Sequence, residues 1–182
     1  MQSTAGKLLV ASPLIGDPNF ERSVILMLEH DSTAALGLVL NHPTETEVAE
    51  MLPQWSFCCA RPANFFLGGP VSPESVICLG TALSGANDTF RLISANLGTV
   101  DLNMEPEELG IELEEIRVFA GYSGWGPGQL ESELALDAWF VLEADPHDAL
   151  MSDPAELWSM VLGRQPGPMA WLANYPIDPS LN

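Results

Sequence analysis

The residue types of a hydrolytic triad lie close together in the first quarter of the chain, at Asp17, Ser23 and His42. Two apolar segments flank Ser32 and are typical of paired strands, so positions whose numbers sum to about 65 are expected to face each other. Ser23 then lies beside His42, with a carboxylate arriving from the preceding loop, as nucleophilic catalysis requires. The chain has no G-x-S-x-G elbow, however, and no oxyanion hole can be inferred near this serine. We therefore expect Ser23 to be an ordinary strand residue, and Arg22 to pair with Asp17 or with backbone carbonyls.

A second group of candidates lies in the glycine-rich stretch 121–128, which leads into a predicted helix from Gln129. A strand, a glycine-rich turn and a helix N-terminus can together bind phosphate. No lysine follows these glycines, and Glu131 and Glu133 occupy the first helical turn, where they repel an anion. We favour a packing turn in which the glycines let aromatic side chains approach the sheet. Four polar or aromatic residues there are nevertheless candidates for a binding surface: Tyr122, Trp125, Gln129 and Glu131.

The loop containing Asp17 and Arg22 is a second stretch whose polar residues are not explained by core filling. Pro18 fixes its backbone, while the carboxylate and the guanidinium offer groups that a plain turn does not need. We predict that this loop and the loop around Trp125 form the two faces of one patch. The alternative is that the loops lock each other through an ion pair between Arg22 and either Glu131 or Asp17. The predicted binding patch comprises Asp17, Arg22, Tyr122, Trp125, Gln129 and Glu131.

Residues that ligate metals are few and scattered. The cysteines are Cys58, Cys59 and Cys78, an odd number without C-x-x-C spacing, which argues against a disulfide framework or a structural zinc site. His30 and His42 fall at opposite ends of the predicted hairpin, and we expect His30 to hydrogen-bond local backbone rather than bind a metal. The sequence therefore predicts reduced, partly buried thiols in a cytoplasmic protein, with no metal and no cofactor.

The charge of the chain excludes several kinds of partner. It carries 25 Asp and Glu against 6 Lys and Arg, a net charge of −19 over 182 residues. Nucleic acids and anionic membranes both attract clustered basic side chains, whereas the basic residues here are spread singly along the chain. The uncharged runs are also too short to cross a bilayer. We expect no direct nucleic-acid binding and no membrane association, and a partner that is a protein or a small ligand.

The elements that must position these candidates are mainly short apolar strands, with helices concentrated near the end of the chain. Predicted strands cover 8–11, 23–29, 35–41, 64–67, 75–79, 89–94, 117–122 and 137–143. Predicted helices cover 44–52, a short segment from 129, 154–162 and 169–173. Trp55 and Phe57 are predicted core residues, and 105–115 is predicted to be a solvated acidic helix or loop. Strands first and helices last favour a single α+β domain over residues 1–182 rather than a doubly wound Rossmann-type sheet.

Eight short segments carry a resemblance that extends over almost the whole chain: 6–13, 17–20, 22–24, 29–31, 37–41, 68–71, 121–125 and 128–133. The most specific begins Gly-Tyr-Ser-Gly-Trp. In this order and spacing, the segments resemble the AlgH/YqgE-like family of small bacterial proteins. The resemblance implies a compact α+β domain whose bifurcated, curved sheet approaches a barrel, with helices packed around it. It also implies transcriptional regulation, but no established reaction that could be assigned to residues.

Two functions from different classes remain open. We favour a non-enzymatic regulatory or interaction protein that acts through a protein partner or a small ligand. The alternative is a hydrolase or transferase of unrecognised type that uses carboxylates such as Asp17 and Glu131. The chain departs from the family pattern at His42, where the family usually has Arg or Lys, and in its cysteines, which fall outside the family motifs; both departures argue against catalysis by those residues. An enzyme requires a dry pocket with convergent titratable groups, which an interaction protein does not need.

Overall fold

Strands dominate the fold and are connected by short helices and 3-10 turns. The computed structural model describes residues 3–83 and 85–175. Its strands are β1 (Lys7–Ala11), β2 (Val24–His30), β3 (Ala35–Val39), β4 (Pro43–Glu47), β5 (Asn64–Leu67), β6 (Val71–Ala82), β7 (Phe90–Ser94), β8 (Leu97–Val100), β9 (Leu113–Trp125) and β10 (Trp139–Glu143). Its helices are α1 (Val48–Met51), α2 (Gln129–Ala135) and α3 (Leu157–Gly163). The 3-10 turns are Pro18–Phe20, Pro53–Cys58, Pro106–Glu108, Pro146–Leu150, Pro154–Glu156 and Gly167–Asn174.

The strands form one sheet that curls back on itself. Its order is β10-β1-β2-β3-β9-β6-β8-β7, with β5 paired to β9 and β4 to β5. The β5–β9 pair is parallel, whereas the other pairs between these strands are antiparallel. The far edge returns toward the start of the sheet, since the Arg91 guanidinium of β7 lies 3.5 Å from the Glu29 carboxylate of β2. The result is a half-barrel with peripheral helices, which confirms the predicted α+β fold with a curved sheet.

The hairpin of β2 and β3 is the central pair that the sequence predicts. Ile25 faces Val39, and beyond a bulge at Leu28, His30 faces Ala35. Facing residue numbers therefore add to 64 on one side of the bulge and 65 on the other, as predicted. Alternate residues of β2 enter two different core clusters, so both faces of the strand are buried. This explains its unbroken apolar sequence.

The helix predicted to begin at residue 44 is wrong at its start. Residues 43–47 form β4, which pairs with β5, and the helix α1 follows only at Val48. The Thr44 hydroxyl, predicted to cap the helix, instead donates to the carbonyl oxygen of Phe65, 2.8 Å away. The capping box lies one turn later, between Glu47 and Glu50. Pairing with a neighbouring strand thus overrides the local helix-start signal.

The glycine-rich stretch predicted as a loop is also corrected, because β9 runs through it to Trp125. Gly124 pairs with Leu36 of β3. Gly121 adopts a φ of +68°, and a Cβ atom there would lie 2.7 Å from the Gly69 carbonyl oxygen. Glycine therefore allows β9 to pass against the turn between β5 and β6, which a larger residue could not do.

One of the two predicted aromatic core residues is exposed. Trp55 is fully buried, as predicted, but Phe57 is 74% exposed. Both lie in the 3-10 turn Pro53–Cys58, whose three-residue period places Trp55 and Cys58 on one buried face. Phe57 falls between them and faces solvent.

Other elements also differ from the prediction, among them β6, which covers Val71–Ala82 rather than 75–79. The acidic segment 105–115 is partly ordered core, because Leu109 is buried and β9 already begins at Leu113. The helix predicted at 154–162 starts with a 3-10 turn, so α3 begins only at Leu157, and the helix predicted at 169–173 is part of the 3-10 turn Gly167–Asn174. The sequence did not predict β8, whose Gly98 lowers its strand propensity.

Candidate functional site

A cleft lies at the end of the half-barrel where the loop after β1 meets the start of α2 and of β10. Its volume is about 360 Å³. Aromatic rings and carboxylates from three separate segments line it. We call it the tryptophan cleft and define it by Asp17, Phe20, Trp125, Gln129, Glu133 and Trp139.

One carboxylate holds both tryptophans of the tryptophan cleft. The indole Nε1 of Trp125 donates to Glu133 Oε2 at 2.9 Å, and that of Trp139 donates to the same oxygen at 2.8 Å. The Gln129 side-chain amide donates to Glu133 Oε1 at 3.1 Å, as residues four apart on a helix can. These three bonds fix the carboxylate and both rings in one arrangement. The sequence analysis did not single out Glu133 or Trp139 as binding residues, and the i,i+4 spacing of Gln129 and Glu133 was the one available signal.

The aromatic rings pack edge to face. The ring centroids of Trp125 and Trp139 lie 6.3 Å apart at 81°, and those of Phe20 and Trp139 lie 5.6 Å apart at 70°. Each tryptophan is only 5% exposed. Such pairs are favoured by the ring quadrupoles and resist rearrangement. The tryptophan cleft therefore has a rigid aromatic wall.

Asp17 reaches the tryptophan cleft from a turn that its own side chain builds. Asp17 Oδ1 accepts hydrogen bonds from the backbone N–H and the side-chain amide of Asn19, both at 2.9 Å. Pro18 begins the 3-10 turn that this bond caps. The Asp-Pro-Asn sequence thus determines the position of the carboxylate locally.

Arg22 lies in a neighbouring cavity of about 330 Å³, which Asp17 also lines. Its guanidinium stacks 4.6 Å from the centroid of the Trp158 ring and donates to the backbone carbonyl of Tyr175. Among the described ion pairs, none joins Arg22 to Asp17 or to Glu131. The predicted carbonyl partner of Arg22 is therefore present. The predicted ion pair between the two loops is absent from residues 3–83 and 85–175.

Glu131 points away from the tryptophan cleft toward a buried histidine. His30 Nε2 lies 2.8 Å from Glu131 Oε1, while His30 Nδ1 accepts from the Thr4 N–H at 3.1 Å. Because an amide N–H can only donate, Nδ1 must be the unprotonated nitrogen that accepts. Nε2 then carries the proton and donates a hydrogen bond to the Glu131 carboxylate. The prediction that His30 bonds local backbone is wrong, since both partners are distant in sequence. Hydrogen bonds from the Glu131 backbone N–H and from His30 lower the pKa of the Glu131 carboxyl.

Tyr122 lines a third cavity of about 380 Å³, which shares Trp125 with the tryptophan cleft. The structure therefore divides the six predicted patch residues. Asp17, Trp125 and Gln129 share the tryptophan cleft. Arg22, Tyr122 and Glu131 do not line it, because each lies on a different side of these elements.

Ser23 and His42 meet as the hairpin geometry predicts, but they do not form a triad. Ser23 Oγ lies 3.5 Å from His42 Nε2, at the limit of hydrogen bonding. Asp17, the third candidate, is bonded to Asn19 instead. Burial lowers the pKa of His42, and Ser23 is fully buried. The arrangement is that of a packed strand end. The Asn41 side chain stabilises it by accepting from the Val24 N–H and donating to the Arg22 carbonyl oxygen, on either side of Ser23.

Arg117 is a buried cation that the sequence analysis did not identify. It is 2% exposed and stacks 4.2 Å from the Phe66 ring centroid. Its guanidinium donates to the carbonyl oxygens of Arg61 at 2.7 Å, Met151 at 2.9 Å and Ala149 at 3.2 Å. Desolvation lowers the pKa of Arg117 to about 10. Its partners are backbone groups of two loops, so its role is to tie those loops to β9.

Residues 3–83 and 85–175 contain no group of three or more His, Cys, Asp or Glu arranged to hold a metal ion. The cysteines Cys58, Cys59 and Cys78 are free. Burial raises the pKa of all three thiols, to about 11 for Cys59. In the same part of the chain, no helix combines the length and the hydrophobicity needed to cross a membrane.

Comparisons with known proteins establish the family and the fold. A UPF0301 protein of Streptomyces avermitilis is 46% identical over 187 residues, covering 100% of this chain and 97% of that protein. One from Mycobacterium tuberculosis is 45% identical over 182 residues, covering 98% and 90%. The crystal structure of a Corynebacterium diphtheriae protein matches with a TM-score of 0.89 at 32% identity, over 96% of this chain and 94% of that one.

The solution structure of AlgH from Pseudomonas aeruginosa matches with a TM-score of 0.69 at 28% identity, over 96% of this chain and 95% of that one. The family model described as AlgH-like, DUF179, matches residues 8–170. This span runs from the second residue of β1 to beyond α3 and includes every residue that defines the tryptophan cleft. The chain therefore belongs to the AlgH-like family.

Proposed function

We propose that this chain is a non-enzymatic interaction protein that exerts a regulatory effect by binding a protein partner at the tryptophan cleft. The observation that carries the proposal is a rigid aromatic wall held by one carboxylate, Glu133. Interfaces concentrate their binding energy on such preorganised aromatic pockets. Because the rings of Trp125 and Trp139 are already fixed, they lose little conformational entropy when a partner binds.

An apolar border supports a macromolecular partner over a small ligand. Leu14 and Leu136 are each 77% exposed. They lie on adjoining loops, since the Ser12 N–H donates to the Ala138 carbonyl oxygen at 2.9 Å. Single exposed leucines are ordinary, but these two lie on the loops that contribute Ile15 and Ala138 to the lining of the tryptophan cleft, and they offer a partner an apolar contact surface.

The composition of the tryptophan cleft supports binding rather than catalysis. No His, Ser, Thr, Cys or Lys is among its described lining residues, so its candidate nucleophiles are the carboxylates of Asp17 and Glu133. Asp17 and Glu131, the carboxylates of the enzymatic alternative, lie in different surroundings.

The proposal extends to the compartment and to the route of regulation. Free, protonated thiols are typical of a reducing cytoplasm, where we place the protein. A net charge of −19 opposes contact with DNA phosphates and with anionic membranes. An effect on transcription, the expectation attached to the family, would then pass through a protein partner.

The proposal is tested by affinity capture from a native lysate of the source organism, using the full chain. A double variant, Leu14→Ser with Leu136→Ser, removes the apolar border of the tryptophan cleft. Phe57→Ser is the matched control, because it removes a comparably exposed apolar side chain, 74% against 77%, from a different turn. Circular dichroism checks that each variant is folded.

We expect the same proteins to be retained by the wild type and by Phe57→Ser, and to be lost with the leucine double variant. Equal retention by all three chains would contradict the site. The absence of any specific protein on the wild-type chain would contradict the proposed mode of action.

A further inference from the structure

Two negative charges in the tryptophan cleft lack a positive partner. Glu133 accepts hydrogen bonds from two indoles and one amide, and Asp17 accepts from Asn19; all of these donors are neutral. The described ion pairs of the protein use other carboxylates. Asp17 Oδ2 accepts none of the described hydrogen bonds, so it remains free to receive a donor.

The walls around these charges suit a flat organic cation. The rings of Phe20, Trp125 and Trp139 line the tryptophan cleft; the two tryptophans are each only 5% exposed, so the partly buried Phe20 offers the most open ring, and aromatic rings attract cations electrostatically. The protein already makes this contact elsewhere, since Arg22 stacks over Trp158 in the neighbouring cavity at 4.6 Å. A guanidinium stacks on such rings and bonds carboxylates with two N–H groups, whereas an ammonium acts as a point charge.

We infer that the anchor residue of the protein partner is an arginine, whose guanidinium enters the tryptophan cleft and bonds Asp17 and Glu133. This inference rests on the proposed function and names the chemistry of its partner. The cleft, at about 360 Å³, has room for one such side chain. The net charge of −19 attracts a basic segment to the protein as a whole, and the two carboxylates then favour its cation at this cleft. A partner with an acidic or wholly apolar anchor leaves both carboxylates uncompensated.

The probe is N-acetyl-arginine amide, titrated into the ¹⁵N-labelled full chain while the indole N–H resonances are followed. N-acetyl-citrulline amide is the matched neutral probe, since it keeps the shape of arginine and removes the charge. N-acetyl-lysine amide and spermine test a point charge and a free polyamine. We expect saturable shifts of the Trp125 and Trp139 indoles with the arginine probe, at least about tenfold weaker binding of the citrulline probe, and weakening with salt.

The variant Asp17→Asn keeps the oxygen that caps its turn and removes the charge. Asp101→Asn is its control, because Asp101 Oδ1 accepts the same pair of bonds from Asn103, at 2.9 and 2.8 Å, outside the tryptophan cleft. We expect arginine-probe affinity to fall at least about fivefold in Asp17→Asn and to change less than twofold in Asp101→Asn.

Three results would overturn the inference. The first is equal binding of the arginine and citrulline probes, which needs only the wild-type chain and holds even if a variant fails to fold. The second is unchanged affinity in a folded Asp17→Asn. The third is spermine binding more than tenfold tighter than the arginine probe, which would assign the site to a free polyamine. The affinity capture described above, and its dependence on Leu14 and Leu136, can still succeed if either of the first two results is obtained. Failure of the arginine inference is therefore distinguishable from failure of the proposed function.

Discussion

Replacing Glu133 by alanine tests whether one carboxylate organises the tryptophan cleft. The change leaves the indole N–H groups of Trp125 and Trp139 without their acceptor, and both side chains are almost fully buried. A hydrogen bond to a charged group contributes roughly 1.5–3 kcal/mol, but water entering the cleft replaces part of it. We therefore expect the free energy of unfolding to fall by about 2–4 kcal/mol for the two bonds together.

Urea unfolding followed by far-UV circular dichroism measures the loss. The ¹H–¹⁵N spectrum identifies its origin, because the chain has 5 tryptophans. Only the indole resonances of Trp125 and Trp139 should move strongly, while that of Trp158, which donates to the Ala11 carbonyl oxygen, should stay in place. Glu133→Gln keeps an acceptor oxygen and should cost only about 1 kcal/mol. A loss below about 1 kcal/mol in Glu133→Ala, with both indole resonances unmoved, would refute the reasoning.

Four further outcomes are expected. Replacing the three cysteines together by alanine or serine should leave the fold and the circular dichroism spectrum intact; a metal lost in that variant would contradict us. Arg117→Met leaves three buried carbonyl oxygens without their donor and should lower the free energy of unfolding by about 3–5 kcal/mol. The exposed control Arg91→Met should lower it by less than about 0.5 kcal/mol, and equal losses would contradict the structural role of Arg117. The pKa of Glu131 is lower in the folded state than its ordinary value of 4.5, so the ionised carboxylate stabilises the fold fully at pH values above 4.5. That stabilisation is lost as the pH falls through the lowered pKa. The stability gap between wild type and Glu131→Gln should then close in acid, and a pH-independent gap would argue against the His30 bond. Labelled duplex DNA should show no anisotropy change at micromolar protein and physiological salt, whereas salt-sensitive binding would reverse that expectation.

The register of the paired strands around Ser32 could be predicted from the local sequence alone. A short polar turn between two apolar segments leaves few registers, and burial of both faces penalises a shift. The facing of Ser23 and His42 followed directly from that register. The Asx turn at Asp17 is equally local, since proline and asparagine at the next two positions build it without help from the rest of the chain.

The candidate site shows where this reasoning stops. The predicted patch joined the two loops that contribute Asp17 and Trp125 to one cavity, and it included Glu131 rather than Glu133. These two glutamates lie two residues apart on α2, and their side chains point in different directions. Glu131 meets His30 and Glu133 meets the tryptophans because of where β2 and β10 lie. No local pattern contains that information.

The sequence by itself determined the family, the α+β class, the central hairpin and the turn that presents Asp17, because each depends on neighbours in the chain or on a pattern of buried residues. The tertiary structure alone decided the rest of the site. Glu133 gains its role only when Trp139, from the strand after α2, reaches the same oxygen as Trp125. The need for glycine at position 121 of β9 arises only because the turn between β5 and β6 packs against it. Long-range contacts of this kind stabilise particular side chains through burial and hydrogen bonding. These contributions exist only when residues far apart in sequence have come together in the folded chain, so a local pattern cannot predict them.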